Sequence, residues 1–220
     1  MTTAHPLEPG RPDDRSPSHV WYASYGSNMH LDRLSYYIKG GRLPGTSAEY
    51  PGCRDRALPG RSLPVELPGV LYFATRSPVW GGGRAFYDPR SEGRVFARAY
   101  LVPVSQFSDI AAQETGREPG KDLDLAEVLA GGVASLGSGR YETLVHAGQV
   151  DGLPVLTFTA PWGVGDLPVT EPSPAYVRYI ASGLLQTGAW GAGTVAAYVA
   201  SAPGAAGHWT AQAVRELMGQ

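Results

Sequence analysis

A glutamate on the apolar stripe of a short helix is the residue in this sequence best suited to moving a proton. The pattern predicts a helix over Gln106–Glu114, capped by Ser105 and closed near Gly116. Phe107, Ile110 and Ala111 form its apolar stripe, and Glu114 continues that stripe seven residues after Phe107. A carboxylate there leaves water and lies in the last helical turn, where the helix dipole disfavours negative charge; both effects raise its pKa. Such a group can accept a proton and later return it. A helix that is rotated or one turn shorter would instead leave Glu114 a solvated terminal residue, and spacing alone leaves both readings open.

The second candidate is the loop Tyr25-Gly26-Ser27-Asn28. It follows the β-prone run Val20–Ser24 and precedes a helical pattern over Met29–Ile38, in which Leu31, Leu34 and Ile38 share a face and Gly40-Gly41 end the element. Backbone N–H groups exposed by a glycine turn ahead of a helix form a concave site for a carboxylate or a developing oxyanion. Ordinary strand-to-helix turns also use Gly, Ser and Asn.

These two pieces need elements to hold them together. Arg42–Leu67, interrupted by Pro44, Pro51, Pro59 and Pro64, reads as irregular. Strands are expected at Val70–Phe73, Arg84–Tyr87 and Arg94–Val102, and a further pair at Tyr141–His146 and Pro154–Thr159 joined across Asp151-Gly152. Ser173 and Pro174 have the form of an N-cap and first helical residue, with Tyr176, Val177, Ile180 and Leu184 on one face and Gly188 as a stop. Shorter helices are expected at Val195–Ala200 and Thr210–Met218. This order implies a small α+β domain with a mixed or antiparallel sheet, strongly bent or partly closed into a barrel, and flanking helices.

Residues 1–18 lack an apolar core and read as a mobile tail, leaving 19–220 as one domain. The net charge of −2 and the lack of a Lys/Arg cluster argue against nucleic acid as a partner. Cys53 is the only cysteine, which excludes an intrachain disulfide and a cysteine-rich metal site. Between Tyr179 and Val214 glycines and polar residues break every run short of the roughly 18 apolar residues a membrane span needs. A cytoplasmic location is the expectation. Ser27, His30 and Asp32 crowd into one turn without a G-x-S-x-G elbow, so a serine-hydrolase triad is disfavoured. His30, Asp32 and His146 have no metal-binding spacing, and Gly163-Val164-Gly165 and Gly191-Ala192-Gly193 lack the third glycine of a dinucleotide loop.

Tyr25-Gly26-Ser27-Asn28-Met29 after a β-run resembles the signature of the γ-glutamylcyclotransferase family. Further segments are similar in the same order: Trp80–Ala85 with its glycines, the strand Arg94–Val102, Asp109–Glu114, and Pro172-Ser173-Pro174-Ala175-Tyr176. The resemblance implies that family's fold and its reaction, in which the α-amine of a γ-glutamyl amide or peptide attacks its own side-chain carbonyl to give 5-oxoproline and an amine. It implies Glu114 as the acid–base residue, and Tyr25, Gly26, Ser27, Asn28, Met29, Gly82 and Tyr176 as substrate contacts. No cofactor or metal is implied. Three features depart from the family pattern: Ser24 before the tyrosine, Thr115 between Glu114 and Gly116, and an insertion at about 117–140 able to reshape the leaving-group pocket or act as a lid, with a helix near Leu123–Leu129. An Ala/Gly-rich helical extension begins near 189, and Trp190 and Trp209 are free to pack internally or against a second copy. An amide hydrolase on the same scaffold, or a non-catalytic ligand-binding protein, are the competing readings.

Overall fold

The computed structural model describes residues 3–10 and 16–219. β1 (His19–Ser24) is apolar from Val20 to Ala23 because the sheet it joins is covered on both faces. A 3₁₀ turn at Ser27–Met29 leads into α1 (Leu31–Lys39). β2 (Gly41–Arg42) and β3 (Glu49–Tyr50) pair as a small ribbon, followed by β4 (Ser62–Pro68), β5 (Val70–Arg76), β6 (Gly83–Asp88) and β7 (Arg94–Pro103). Then come α2 (Val104–Glu114), α3 (Ala126–Gly131), β8 (Val133–Ser135), β9 (Thr143–Val150) and β10 (Leu153–Thr159). α4 (Pro174–Leu185), α5 (Ala192–Ser201) and α6 (Ala211–Leu217) complete the chain.

The fold is α+β. Its main sheet has the order β4-β7-β1-β10-β9-β8, with β1 and β10 parallel and the other pairs antiparallel. β5 and β6 form a separate antiparallel hairpin, tied to the main sheet where Thr159 Oγ1 accepts from Tyr87 N (3.0 Å) and donates to Tyr87 O (2.6 Å). Val20, Tyr22, Tyr100 and Leu156 face one helical layer, in which Leu34 and Ile38 of α1, Phe107 and Ile110 of α2, and Val128 of α3 are buried. Trp21, Val65, Val95 and Val155 face the other, with Val177 and Ile180 of α4, Val195 of α5 and Val214 of α6.

β4 was expected as irregular chain. Two prolines sit in it, and it tolerates them because it is the edge strand of the sheet: Pro64 and Pro68 lie opposite Arg98 and Arg94 on β7, and on the outer side a single bridge joins Val65 to His5. α2 begins at Val104 on Pro103, so Ser105 lies within the helix and does not cap it. The helix expected over Met29–Ile38 is divided because His30 is extended (φ −78°, ψ 118°). β9 starts at Thr143, two residues later than expected, because Tyr141 adopts a left-handed backbone (φ 64°). Ser173 does cap α4, accepting from Tyr176 N, with Pro174 as its first residue.

Of the tail expected over 1–18, residues 1, 2 and 11–15 lie outside the described residues. His5 N donates to Pro64 O (2.7 Å), and Glu8 exchanges two backbone bonds with Gln149 (2.9 Å each). Trp190 packs internally, stacked on Phe96 (4.5 Å), and Trp209 Nε1 donates to Pro172 O (3.1 Å). Among the described residues no helix is long and apolar enough to cross a membrane.

α4 rests directly on the chain that follows the glycine turn. A Cβ on Gly183 would lie 2.8 Å from His30 N and 2.9 Å from the carbonyl carbon of Met29, backbone atoms that cannot rotate away. In a free helix Gly→Ala gains about 0.5–1 kcal/mol, whereas forcing packed elements apart costs about 1–3 kcal/mol. Gly183→Ala should therefore lower the melting temperature by several degrees. A rise, measured by calorimetry, would mean that α4 does not bear on this turn.

Candidate active site

A cavity of about 210 Å³ opens between the end of β1, the turn at 26–28, the end of α2 and the β5–β6 hairpin. The 3₁₀ turn closes with Met29 N on Gly26 O and His30 N on Ser27 O, both at 3.1 Å. N–H groups ahead of the first bond in such a turn have no acceptor within it, and Gly26, Ser27 and Asn28 form the cavity wall at that point. Across the same cavity stands the last residue of α2. Asn28 Nδ2 donates to Glu114 Oε1 at 3.1 Å and lies 3.3 Å from the Tyr22 hydroxyl. The helix end is fixed by Thr115, whose Oγ1 donates to the carbonyls of Ala111 (3.1 Å) and Ala112 (2.9 Å). The extra residue between Glu114 and Gly116 thus satisfies the helix terminus.

Glu114 is half-buried as a residue, with its carboxyl turned into the cavity. Removal from water pushes that carboxyl above the usual carboxylate range, against hydrogen bonds from Tyr37 and Asn28 and the positive charges of Arg33 and Arg140. Burial likewise holds the hydroxyls of Tyr22, Tyr25, Tyr37, Tyr141 and Tyr176 above the usual tyrosine range, Tyr176 to about 12. The phenols are therefore neutral at physiological pH and available as donors. Tyr25 donates to Phe158 O (2.9 Å), Tyr141 to Ala85 O (3.0 Å), and the Tyr176 oxygen accepts from Ala85 N (3.3 Å).

Several polar atoms along this wall are buried and unmatched: Asn28 Oδ1, Gln113 Oε1, Thr157 Oγ1, and Nε and Nη1 of Arg33. Native proteins pair nearly all such atoms, so their concentration around one cavity marks a place completed by water or a ligand. Arg33 is 3% exposed. Its Nη2 donates to the Tyr50 hydroxyl (2.6 Å), and its guanidinium lies 4.7 Å from the ring centres of both Tyr37 and Tyr50. Burial alone would lower its pKa; the surrounding Tyr37, Tyr50 and Glu114 outweigh that and raise it, so Arg33 is a fixed positive charge.

No protein-family model matches the chain. It is similar to Histone deacetylase 5 of Arabidopsis thaliana, with 30% identity over 206 residues. The match covers 84% of this chain but 31% of that protein, so the chain spans about a third of the length of this relative. In structure it is similar to a γ-glutamyl cyclotransferase, with 14% identity, 77% of this chain and 80% of that one covered, and a TM-score of 0.46. A crystal structure of an uncharacterised human protein gives 15% identity, 78% and 82% coverage and a TM-score of 0.47.

Of the residues expected at the site, Glu114, Tyr25, Gly26, Ser27, Asn28 and Tyr176 share the cavity wall. Met29 and Gly82 do not reach it. The Met29 side chain is in the core, and its carbonyl accepts from Tyr100 (2.7 Å). Gly82 lies so close to the start of α4 that a Cβ would fall 2.5 Å from Ser173 N; it is a point of close packing. His30 turns away from the cavity, its Nε2 lying 2.9 Å from Gln186 Nε2, and among the described residues no cluster of His, Cys, Asp and Glu is suited to a metal ion. Sequence reasoning missed Arg33, Tyr37, Tyr50, Trp80, Arg84, Arg140 and Tyr141, which supply most of the remaining wall. For α1 a signal existed: Arg33 and Tyr37 stand four residues apart beside Leu34 and Ile38 on the buried face.

Proposed function

We propose that the chain is a cyclotransferase, cleaving a γ-glutamyl amide by attack of the substrate's own α-amine on its side-chain carbonyl. The products are 5-oxoproline and a free amine. One observation carries the reading: the Glu114 carboxyl is joined through Asn28 to a glycine turn on the wall of one small cavity. A new bond forms between the amine nitrogen and the carbonyl carbon, closing a five-membered ring, and the amide C–N bond breaks. Glu114 takes the proton released by the attacking amine and delivers one to the leaving nitrogen. A carboxyl lifted above the usual range accepts a proton more readily than a solvated glutamate does, which suits the first step.

The N–H groups of Gly26, Ser27 and Asn28 stabilise charge developing on the carbonyl oxygen. Tyr25 and Tyr176 hold the glutamyl group between them. Both reacting groups belong to one molecule, so the main task is to keep them at attack distance, and the reaction needs no second substrate. The cavity volume lies below the ~300–1,000 Å³ of drug-sized sites and fits a substrate about the size of a dipeptide.

The name of the Arabidopsis relative supports a second reading, in which Glu114 activates water to remove an acyl group. Three arginines on the cavity wall would repel the lysine ammonium that such a reaction releases and favour an anionic substrate. A panel of γ-glutamyl amines, γ-glutamyl dipeptides and N-acetyl-lysine compounds separates the readings. The expected product is 5-oxoproline; glutamate, acetate or another free acid would replace cyclotransfer by hydrolysis, and binding without turnover would leave a ligand-binding protein.

A further inference from the structure

Arg33 is a buried cation without a carboxylate in direct contact. It is 3% exposed, and among the described residues no Asp or Glu lies within ion-pair distance of it. Burying a guanidinium is costly unless it is paired and hydrogen-bonded, and its Nε and Nη1 have no hydrogen-bond partner. Its surroundings are aromatic. The guanidinium carbon lies 4.7 Å from the ring centres of Tyr37 and Tyr50 and 5.8 Å from that of Trp80, within the range at which a cation is held over a π face. Nη2 donates to the Tyr50 hydroxyl at 2.6 Å and lies 3.5 Å from that of Tyr37. An apolar side chain would pack among three rings at less cost, so packing alone does not account for a charge here.

The Tyr37 hydroxyl leads from Arg33 to the reacting carboxyl. It hydrogen-bonds Glu114, and burial keeps it protonated. A guanidinium can only donate; toward Arg33 the Tyr37 oxygen is therefore the acceptor, and its single proton is left for Glu114. Arg33 of α1, Arg84 of β6 and Arg140, ahead of β9, bring positive charge to Glu114. Its other titratable neighbours are phenols: Tyr22 and Tyr25 from the end of β1, Tyr37, Tyr141, and Tyr176 of α4, all neutral at physiological pH. Arg140 is exposed, so water and salt screen its charge; Arg33 is buried, and its charge is screened far less. Burial is the largest influence on the Glu114 carboxyl and disfavours its ionised form, while the Tyr37 hydrogen bond and then the Arg33 charge oppose it.

We infer that Arg33 is a positioning residue for Glu114: held by Tyr50 and the three rings, it directs the Tyr37 hydroxyl onto the carboxyl and keeps a permanent positive charge near it, so that Glu114 meets the substrate as a base with its proton off. The role rests on the cyclotransferase reading only for what that base then does; the hold on Glu114 exists with or without a substrate.

The test follows the Glu114 carboxyl by carbon NMR in labelled protein, together with the pH dependence of 5-oxoproline release from γ-glutamylglycine and γ-glutamylputrescine, in Arg33→Gln, Arg33→Lys and Tyr37→Phe. Loss of the charge in Arg33→Gln should move the Glu114 titration to higher pH and the acid limb of kcat/KM with it. Activity should then fall about tenfold at mildly acidic pH and recover toward the wild type as the pH is raised. Lysine restores the charge without the planar fork, so Arg33→Lys should bring the titration back toward that of the wild type. Tyr37→Phe removes one oxygen, keeps the ring, and should shift the titration in the same direction as Arg33→Gln. An unshifted Glu114 in Arg33→Gln would overturn the role and leave Arg33 a clamp between α1 and β3, while 5-oxoproline from the wild type would still keep cyclotransfer. Where Arg33→Gln does not fold, an unshifted Glu114 in Tyr37→Phe overturns the role in the same way. A shifted titration with no 5-oxoproline from the wild type would keep the hold of Arg33 on Glu114 and remove cyclotransfer.

Discussion

Glu114→Gln should lose about 10²–10⁴-fold in kcat/KM, the usual worth of a positioned acid–base group, while remaining fully folded. The amide is nearly the same size as the acid, and its oxygen can still accept from Asn28 Nδ2, so the contact between α2 and the glycine turn survives. What it lacks is a proton to exchange. Its stability should also respond to pH differently from that of the wild type. Because the folded carboxyl is raised above its unfolded value, the stability it contributes is fully present below the unfolded pKa and is lost as pH rises through the folded one. The amide pays no such penalty. The melting temperature of Glu114→Gln should therefore match or exceed that of the wild type near neutral pH, with the difference shrinking as the solution is acidified into the ordinary carboxylate range. Thermal scans across that window check the sign; a variant markedly less stable at neutral pH would mean that the ionised carboxylate supports the fold.

The largest expected loss of stability comes from Asp109. This carboxylate is fully buried on α2, one and a half turns before Glu114. It accepts from Arg54 N (2.8 Å), Arg54 Nε (3.0 Å) and Gly120 N (3.1 Å), tying α2 to the chain after Cys53 and to the start of the 117–140 segment. Asp109→Ala removes two backbone hydrogen bonds to a charged acceptor, each worth about 1.5–3 kcal/mol, part of which water regains at Arg54 and Gly120. The Arg54 side chain is 39% exposed and keeps Asp122 as a partner, so it adds little further cost. A net loss of about 3 kcal/mol follows, or roughly 6–12 °C in a chain of this size. Urea denaturation monitors it directly. A change below about 1 kcal/mol would show that α2 is positioned by its apolar face alone.

That Glu114 and the glycine turn share one cavity was legible because each piece is encoded locally. The seven-residue spacing between Phe107 and Glu114 fixes the face of one helix, and Gly26-Ser27-Asn28 between a strand and a helix fix one turn. The remaining wall was not legible because it is assembled from α1, the 77–80 turn, β6 and the residues before β9, which meet only in the folded chain. Thr75 and Tyr141 escaped notice for a different reason: neither is a glycine, so nothing in their identity announces a left-handed backbone. β4 was hidden by Pro64 and Pro68, which argue against a central strand and are accommodated only because this one lies at the edge. Met29 and Gly82, taken with their neighbours as substrate contacts, instead hold the turn and α4 in place from behind.

The most direct measurement is the titration of Glu114 itself, followed by carbon NMR in protein labelled at the glutamate side-chain carboxyl, with Glu114→Gln identifying its signal. That signal should titrate above the usual carboxylate range and at the same pH as the acid limb of 5-oxoproline formation. A Glu114 carboxyl that titrates like a solvated glutamate, or an acid limb that does not follow it, would contradict the role given to it here.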